Sequence, residues 1–129
     1  MKLLLDSCVF LWMIDDYKKI PSATREKITS PLNEIYLSSI SIVEMTIKAG
    51  LGKLSIPKPF AEFIIDCRKK HGINELALKE EDVIILEKLP LIHSDPFDRM
   101  LVAQAIANEM AIISCDKKIK DYPVSIVWS

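Results

Sequence analysis

The stretch that most limits how this chain can fold is its start, Lys2-Leu3-Leu4-Leu5-Asp6. Three consecutive leucines leave no polar face. A strand built from them must be covered on both sides, as the central strands of parallel sheets are. The run stops at an aspartate, followed by Ser7. If residues 3–5 form a central strand, Asp6 stands at its carboxyl end, the edge where open α/β sheets place their ligand sites. Asp is also a favoured helix N-cap, and capping the next helix explains this stretch equally well when it is taken alone. Three further acidic residues in comparable places shift the balance toward a site.

Strand-like runs and helical patterns alternate along the rest of the chain. Residues 9–14 read as a helix ending near Asp15-Asp16. A second helix over 21–29 has Pro21 and Ser22 at its start and Ser30-Pro31 as its stop. Ile35-Tyr36-Leu37 marks a strand within 34–38. Residues 41–49 read as a helix with Gly50 as its C-terminal cap, followed by a turn over 51–54. The pattern over 59–70 predicts an amphipathic helix with Phe60, Phe63, Ile64 and Cys67 on one side. A strand over 73–78, a helix over 80–88, a loop over 93–96 and a helix over 97–109 come next. A strand over 110–114, a short basic turn or helix over 117–121 and a last strand over 124–128 complete the chain. With no long hairpins, this alternation predicts an α/β fold, a parallel sheet with helices on both faces.

At 129 residues the chain makes one domain, 1–129, with a proper core. No apolar run approaches a membrane span, and Asp6 interrupts the apolar N-terminus, where no small-residue cleavage site follows. The expectation is a cytoplasmic protein without membrane contact. Cys8, Cys67 and Cys115 are odd in number and contain no Cys-x-x-Cys pair, which argues against a disulfide framework or a zinc knuckle. Reduced, buried thiols are the default, although Cys8 and Cys115 each lie close to a candidate site carboxylate. The net charge is −1. Proteins that grip long nucleic acids by the backbone alone are usually basic. A nucleic-acid partner would therefore be contacted locally, with a bound cation supplying part of the positive charge.

Asp6 follows the first strand, Glu44 is expected in the first turn of the helix after the second, Asp98 opens the helix leading into the fourth, and Asp116 follows the fourth. Right-handed crossovers in a parallel sheet put all four on the carboxyl edge. Each has a simpler explanation. Ser41-x-x-Glu44 has the form of a capping box. Asp95-Pro96 looks like an N-cap followed by proline, which makes Asp98 a dipole partner. Asp116 could cap the turn after it. Together these explanations persuade less, because four helix starts along one edge of the sheet would be acidic. Clustered carboxylates must take up protons or be neutralised by a cation. All-oxygen donors suit Mg²⁺ or Mn²⁺, which clamp phosphate oxygens and activate water for phosphodiester hydrolysis. His71 ends a helix and His93 lies in a loop, so a histidine base is not the leading idea. No Gly-x-x-x-x-Gly-Lys loop is present, which removes the P-loop enzymes. A haloacid-dehalogenase-like phosphatase would want an acid where Cys8 stands, and a response-regulator receiver would want an aspartate near Leu76-Ala77-Leu78-Lys79.

The chain resembles the PIN-domain family and, within it, VapC-type toxins of toxin–antitoxin pairs. The resemblance covers nearly the whole length. It rests on Lys2-Leu3-Leu4-Leu5-Asp6-Ser7, on Leu37-Ser38-Ser39 leading to Glu44, and on Lys48 with Leu51-Gly52-Lys53-Leu54. It continues in Leu89-Pro90-Leu91, then in Asp95-Pro96-Phe97-Asp98-Arg99-Met100-Leu101-Val102-Ala103-Gln104-Ala105, and last in Ser114-x-Asp116. The segment around Asp98 is the most specific. The resemblance implies a three-layer α/β/α PIN-like fold and a divalent-metal-dependent endoribonuclease, the toxin component of a type II system. It implies Asp6, Glu44, Asp98 and Asp116 as catalytic, metal-binding acids, with Ser7 and Ser114 supporting a carboxylate or water. Arg99 would contact phosphate, bridge the acids, or form a surface ion pair. Many relatives have His where this chain has Cys8, and Arg where it has Ser94; neither change touches a proposed ligand.

With water activated by Mg²⁺ or Mn²⁺ as nucleophile, RNA products would carry 5′-phosphate and 3′-hydroxyl ends. Lys48, Lys53, Lys117, Lys118 and Lys120 are candidates to guide RNA past the acids. The family also implies a cognate antitoxin protein and a homodimer, for which residues 12–14 and the 60–67 helix offer apolar surface, although packing in the core accounts for most of those side chains. The alternative is a PIN-like module that binds RNA or protein without cutting it; DNA cleavage is a further reading.

Overall fold

The computed structural model describes residues 1–92 and 94–128. The expected loop over 93–96 opens on His93, which lies outside the described residues, as does Ser129.

Strand β1 (Lys2–Leu5) is central, and its three leucines are fully buried. It pairs in parallel with β2 (Glu34–Ser38) on one side, Leu4 beside Tyr36. On the other side it pairs in parallel with β4 (Ala111–Ile113), Leu4 beside Ile112. β3 (Asn74–Leu76) adds to β2, and β5 (Ile126–Val127) adds to β4, giving the order β3-β2-β1-β4-β5 with every pairing parallel.

Side chains alternate across this sheet and fill two cores. Leu3, Leu5, Leu37 and Ile113 face one layer, where α1 (Ser7–Asp15), α2 (Ser22–Thr29), α3 (Ser39–Gly50) and α4 (Phe60–Lys70) contribute Phe10, Ile28, Met45 and Ile64. Leu4 and Ile112 face the other, where α5 (Glu80–Lys88) and α6 (Pro96–Ala107) supply Leu86, Leu101, Val102 and Ala105. The result is the expected three-layer α/β/α arrangement. Among the described residues, no helix is long and apolar enough to cross a membrane.

Several element boundaries differ from expectation, each for a local reason. β2 runs into α3 without a loop. The Ser38 hydroxyl accepts a hydrogen bond from the Ile40 amide at 3.0 Å and so caps a helix that begins at Ser39, not at residue 41. Glu44 therefore lies beyond the first turn of α3, and the Ser41–Glu44 capping box does not form. α3 also includes Gly50. The residue that turns the chain is Gly52, with φ +75°, a conformation strained for any side chain. The Lys53 amide then folds back to the Lys48 carbonyl at 2.9 Å. β3 and β5 are edge strands and shorter than their apolar runs. A 3₁₀ turn at Tyr17–Lys19 was not expected, whereas Ile119–Asp121 forms the short helix expected over 117–121. Residues 12–14, with Phe63 and Cys67 of α4, pack partly against the first core.

The topology fixes where a site can form. From β1 the sheet grows through β2 to β3 in one direction, and β4 and β5 then extend it in the other. The reversal between β1 and β4 opens a crevice at their carboxyl ends, the position where open α/β sheets bind ligands.

Phe10 is fully buried beneath that end of the sheet. Phe10→Ala is expected to lower the unfolding free energy by about 3–5 kcal/mol in urea titrations. Leu91→Ala, at a side chain 93% exposed, should stay within about 0.5 kcal/mol of the parent protein.

Candidate active site

One cavity of about 550 Å³ occupies the crevice, and Asp6, Glu44, Asp98 and Asp116 all line it. They arrive from four separate segments. Asp6 leaves β1, Glu44 projects from α3, Asp98 sits in the first turn of α6, and Asp116 follows β4. Lys48, Lys53 and Asp95 share the lining, as do the Cys8 and Cys115 thiols.

Asp6 occupies the N-cap position of α1, yet its side chain makes no capping bond. Its Oδ2 instead accepts a 2.7 Å hydrogen bond from the Ser114 hydroxyl across the β1–β4 seam. The same Ser114 oxygen accepts from the Asp116 amide at 3.0 Å, so one buried hydroxyl positions two of the acids. Ser7 does similar work for the third. Its hydroxyl donates to Glu44 Oε1 at 2.8 Å, and both residues are buried. The other Glu44 oxygen meets Lys48 Nζ at 3.1 Å, an i,i+4 ion pair along α3.

Asp95 is the N-cap of α6. Its Oδ1 accepts from the Phe97 amide at 2.9 Å and the Asp98 amide at 3.4 Å. Asp116 also holds its own turn, accepting from the Lys118 amide at 2.9 Å. Arg99 is directed elsewhere. Its guanidinium donates to the Pro90 carbonyl at 2.9 Å and to Tyr122 and the Leu86 carbonyl, each at 3.4 Å. It fastens the α5–α6 connection and does not line the acid cavity.

The pairing in two polar ties was not anticipated from sequence, although Ser7 was expected to support a carboxylate. Ser38, the cap of α3, donates through its hydroxyl to Gln104 Oε1 in α6, deep in the core. This bond joins the helix that presents Glu44 to the helix that presents Asp98. Gln104 was part of a recognised motif, but spacing alone does not reveal its partner. The Ser7–Glu44 bond likewise spans 37 positions. The Glu44–Lys48 pair, by contrast, was readable from its four-residue spacing.

The electrostatics follow from burial. Desolvation pushes the Asp6 carboxyl above its ordinary range, and the charges of Glu44 and Asp116 push in the same direction, although the Ser114 hydrogen bond opposes them. Burial works to lower the Lys48 ammonium, but its bond to Glu44 and the charges of Glu44, Asp95 and Asp98 outweigh this and raise it. The Cys8 thiol is pushed up to about 12 by burial, by Cys115 and by Asp6, so it keeps its proton at neutral pH.

A hard divalent cation fits this donor set. The four acids offer only oxygen, and with Asp95 they outnumber the two lysines, Lys48 and Lys53, that share the lining. Among the described residues, no three His, Cys, Asp or Glu side chains stand close enough to hold an ion as they are. Unneutralised carboxylates repel, so they would have to draw inward as a cation enters.

The PIN domain pattern matches residues 3–124. The chain belongs to the PIN domain family. Solved structures share the fold at low identity. VapBC2 from Rickettsia felis, bound to a DNA fragment from its promoter, aligns at TM-score 0.77 and 17% identity, covering 100% of both chains. DNA-bound VapBC from Salmonella typhimurium aligns at 0.71 and 15%, covering 98% of this PIN domain and 97% of that chain. VapBC-5 from Mycobacterium tuberculosis, of the VapBC family of toxin–antitoxin systems, aligns at 0.62 and 12%, covering 98% and 95%. Among curated proteins compared by sequence, none matches this PIN domain.

The raised Asp6 carboxyl has a consequence for stability. Relative to an unfolded carboxyl, it favours the folded state at low pH, and that advantage is lost as pH rises through its folded value. In chelator, Asp6→Asn is therefore expected to melt above the parent protein at pH 7. The difference should close as pH falls toward the ordinary carboxylate range, as followed by thermal unfolding monitored by circular dichroism.

Proposed function

We propose that this PIN domain is a divalent-metal-dependent endoribonuclease, the VapC-type toxin of a type II toxin–antitoxin pair. The observation that carries the reading is the convergence of Asp6, Glu44, Asp98 and Asp116 on one cavity at the β1–β4 switch point. Membership of the PIN family and the likeness to VapBC structures support it.

In this reading the four carboxylates hold Mg²⁺ or Mn²⁺. When bound, such an ion acts as a Lewis acid toward the phosphate and makes water a competent nucleophile at neutral pH. The chain's own groups set up the reaction. Ser114 holds one oxygen of the Asp6 carboxylate and Ser7 holds one oxygen of Glu44, which limits how each can turn. Lys48 is cationic at neutral pH and stands at the rim, where it can meet a backbone phosphate of RNA. Lys53, returned over Lys48 by the Gly52 turn, offers a second contact. Overall charge does not supply this attraction, since the chain is slightly acidic.

The reading also includes an antitoxin protein and a homodimer. Exposed apolar side chains at Val83, Ile84, Leu91 and Ile92 are consistent with a surface that a protein partner covers.

The decisive measurement is cleavage of end-labelled RNA in Mn²⁺, with product ends mapped. Products should carry 5′-phosphate and 3′-hydroxyl groups; 2′,3′-cyclic phosphates would refute activated water as nucleophile. Asp98→Asn should reduce cleavage by roughly 100-fold or more while the fold is kept. Ser114→Ala should weaken metal affinity or activity by about 10–100-fold. In calorimetry, Mn²⁺ at roughly 100 times its Kd should add about 2.7 kcal/mol to the unfolding free energy. A folded protein that binds no cation and cuts no RNA pool would instead be the non-catalytic binding module.

A further inference from the structure

Cys8 and Cys115 are far apart in sequence but meet at the cavity, with their sulfurs 3.8 Å apart. Both are free thiols, both are partly exposed, and both line the opening through which a small reagent would enter. We propose that they form a reversible disulfide that links the start of α1 to the end of β4 across the acid pocket. The proposal is independent of the nuclease reading, because it concerns a covalent bond between two side chains whatever reaction the pocket performs.

The backbone geometry favours the bond. Cys8 and Cys115 each lie two residues beyond a residue of the β1–β4 seam. That seam continues past the ladder through the Asp6 amide, which donates to the Ile113 carbonyl at 3.0 Å, and through the Ser114–Asp6 hydrogen bond. The observation that bears on the bond is the separation of the sulfurs themselves, 3.8 Å. The sulfurs must approach by about 1.8 Å to reach the bond length of about 2.05 Å. Rotation about the Cα–Cβ bonds supplies movement of that size without moving the sheet. Cys67 is the internal contrast: it packs against the first core from α4 and does not line the cavity.

The oxidant is hydrogen peroxide or another two-electron peroxide. It oxidises the Cys115 thiol to the sulfenic acid as its O–O bond breaks, releasing one water, while Cys8 still holds its proton. The second sulfur attacks the first and expels hydroxide, which takes the second thiol proton to give another water. Two thiols and one peroxide thus yield one disulfide and two waters. A dithiol reductant reverses the change.

The test treats the whole protein with dilute hydrogen peroxide, quenches with an alkylating agent and measures intact mass and peptides. The expected product is lighter by about 2 Da before alkylation, carries one alkyl group instead of three, and yields a Cys8–Cys115 linked peptide. Dithiothreitol should restore all three alkylations. Cys8→Ser and Cys115→Ser should each abolish the mass loss, whereas Cys67→Ser should retain it. The proposal is overturned if the sulfurs gain oxygen as sulfinic acid without linking, if the linked peptide contains Cys67, or if the three thiols remain alkylatable after peroxide has oxidised an added control dithiol.

Discussion

The arrangement depends on withdrawing carboxylate charge from water at one place, the carboxyl end of the β1–β4 seam. A carboxylate beside a buried strand end loses hydration, and neighbouring acids make the loss worse. Burial accordingly raises the pKa of Asp6. The fold tolerates the arrangement by spending hydroxyl groups on it. Ser114 donates to Asp6, and Ser7 donates to Glu44. Lys48 then supplies the nearest positive charge. With Lys53 the lining holds two ammoniums against five carboxylates, so an anionic pocket remains, and its chemistry follows from that remaining charge.

Much of this was legible because strand and helix periods are strong signals. A leucine triplet with no polar side could be satisfied only between two layers, and its terminal aspartate could stand only at the sheet's carboxyl edge. That placed Asp6 correctly and, by the same alternation, Asp116. Helix starts were less legible where a strand flows straight into a helix. The pattern over 41–49 showed where apolar faces recur, but the start of α3 is set by the Ser38 hydroxyl, and a serine reads as strand end and helix cap alike. The shift changes how Glu44 is read: beyond the first turn it no longer serves the helix, and both its oxygens point to partners in the cavity.

What sequence could not disclose was pairing across distance. Ser7 and Glu44, Ser114 and Asp6, and Cys8 and Cys115 are neighbours only because β1 lies between β2 and β4. No local period encodes those contacts. Arg99 makes the same point in the other direction. It follows Asp98 immediately, but successive residues on a helix point about a quarter-turn or more apart, and its guanidinium reaches the carbonyls of the α5–α6 connection.

The Ser38–Gln104 bond ties these observations together. Gln104 is fully buried, and among the described residues its Nε2 finds no hydrogen-bond partner, an expensive condition for an amide in a core. An apolar side chain there would avoid that cost but would also remove the link between α3 and α6. Those helices approach the cavity from opposite faces of the sheet and carry Glu44 and Asp98 respectively. Apolar packing alone allows such elements to slide by small amounts, since dispersion contacts have little directional preference. A hydrogen bond fixes direction. The two acids on helices are thus held in register by a core amide, as the two acids at strand ends are held by Ser114. Glu44 is further held by Ser7, and the sheet joins the two halves of the pocket.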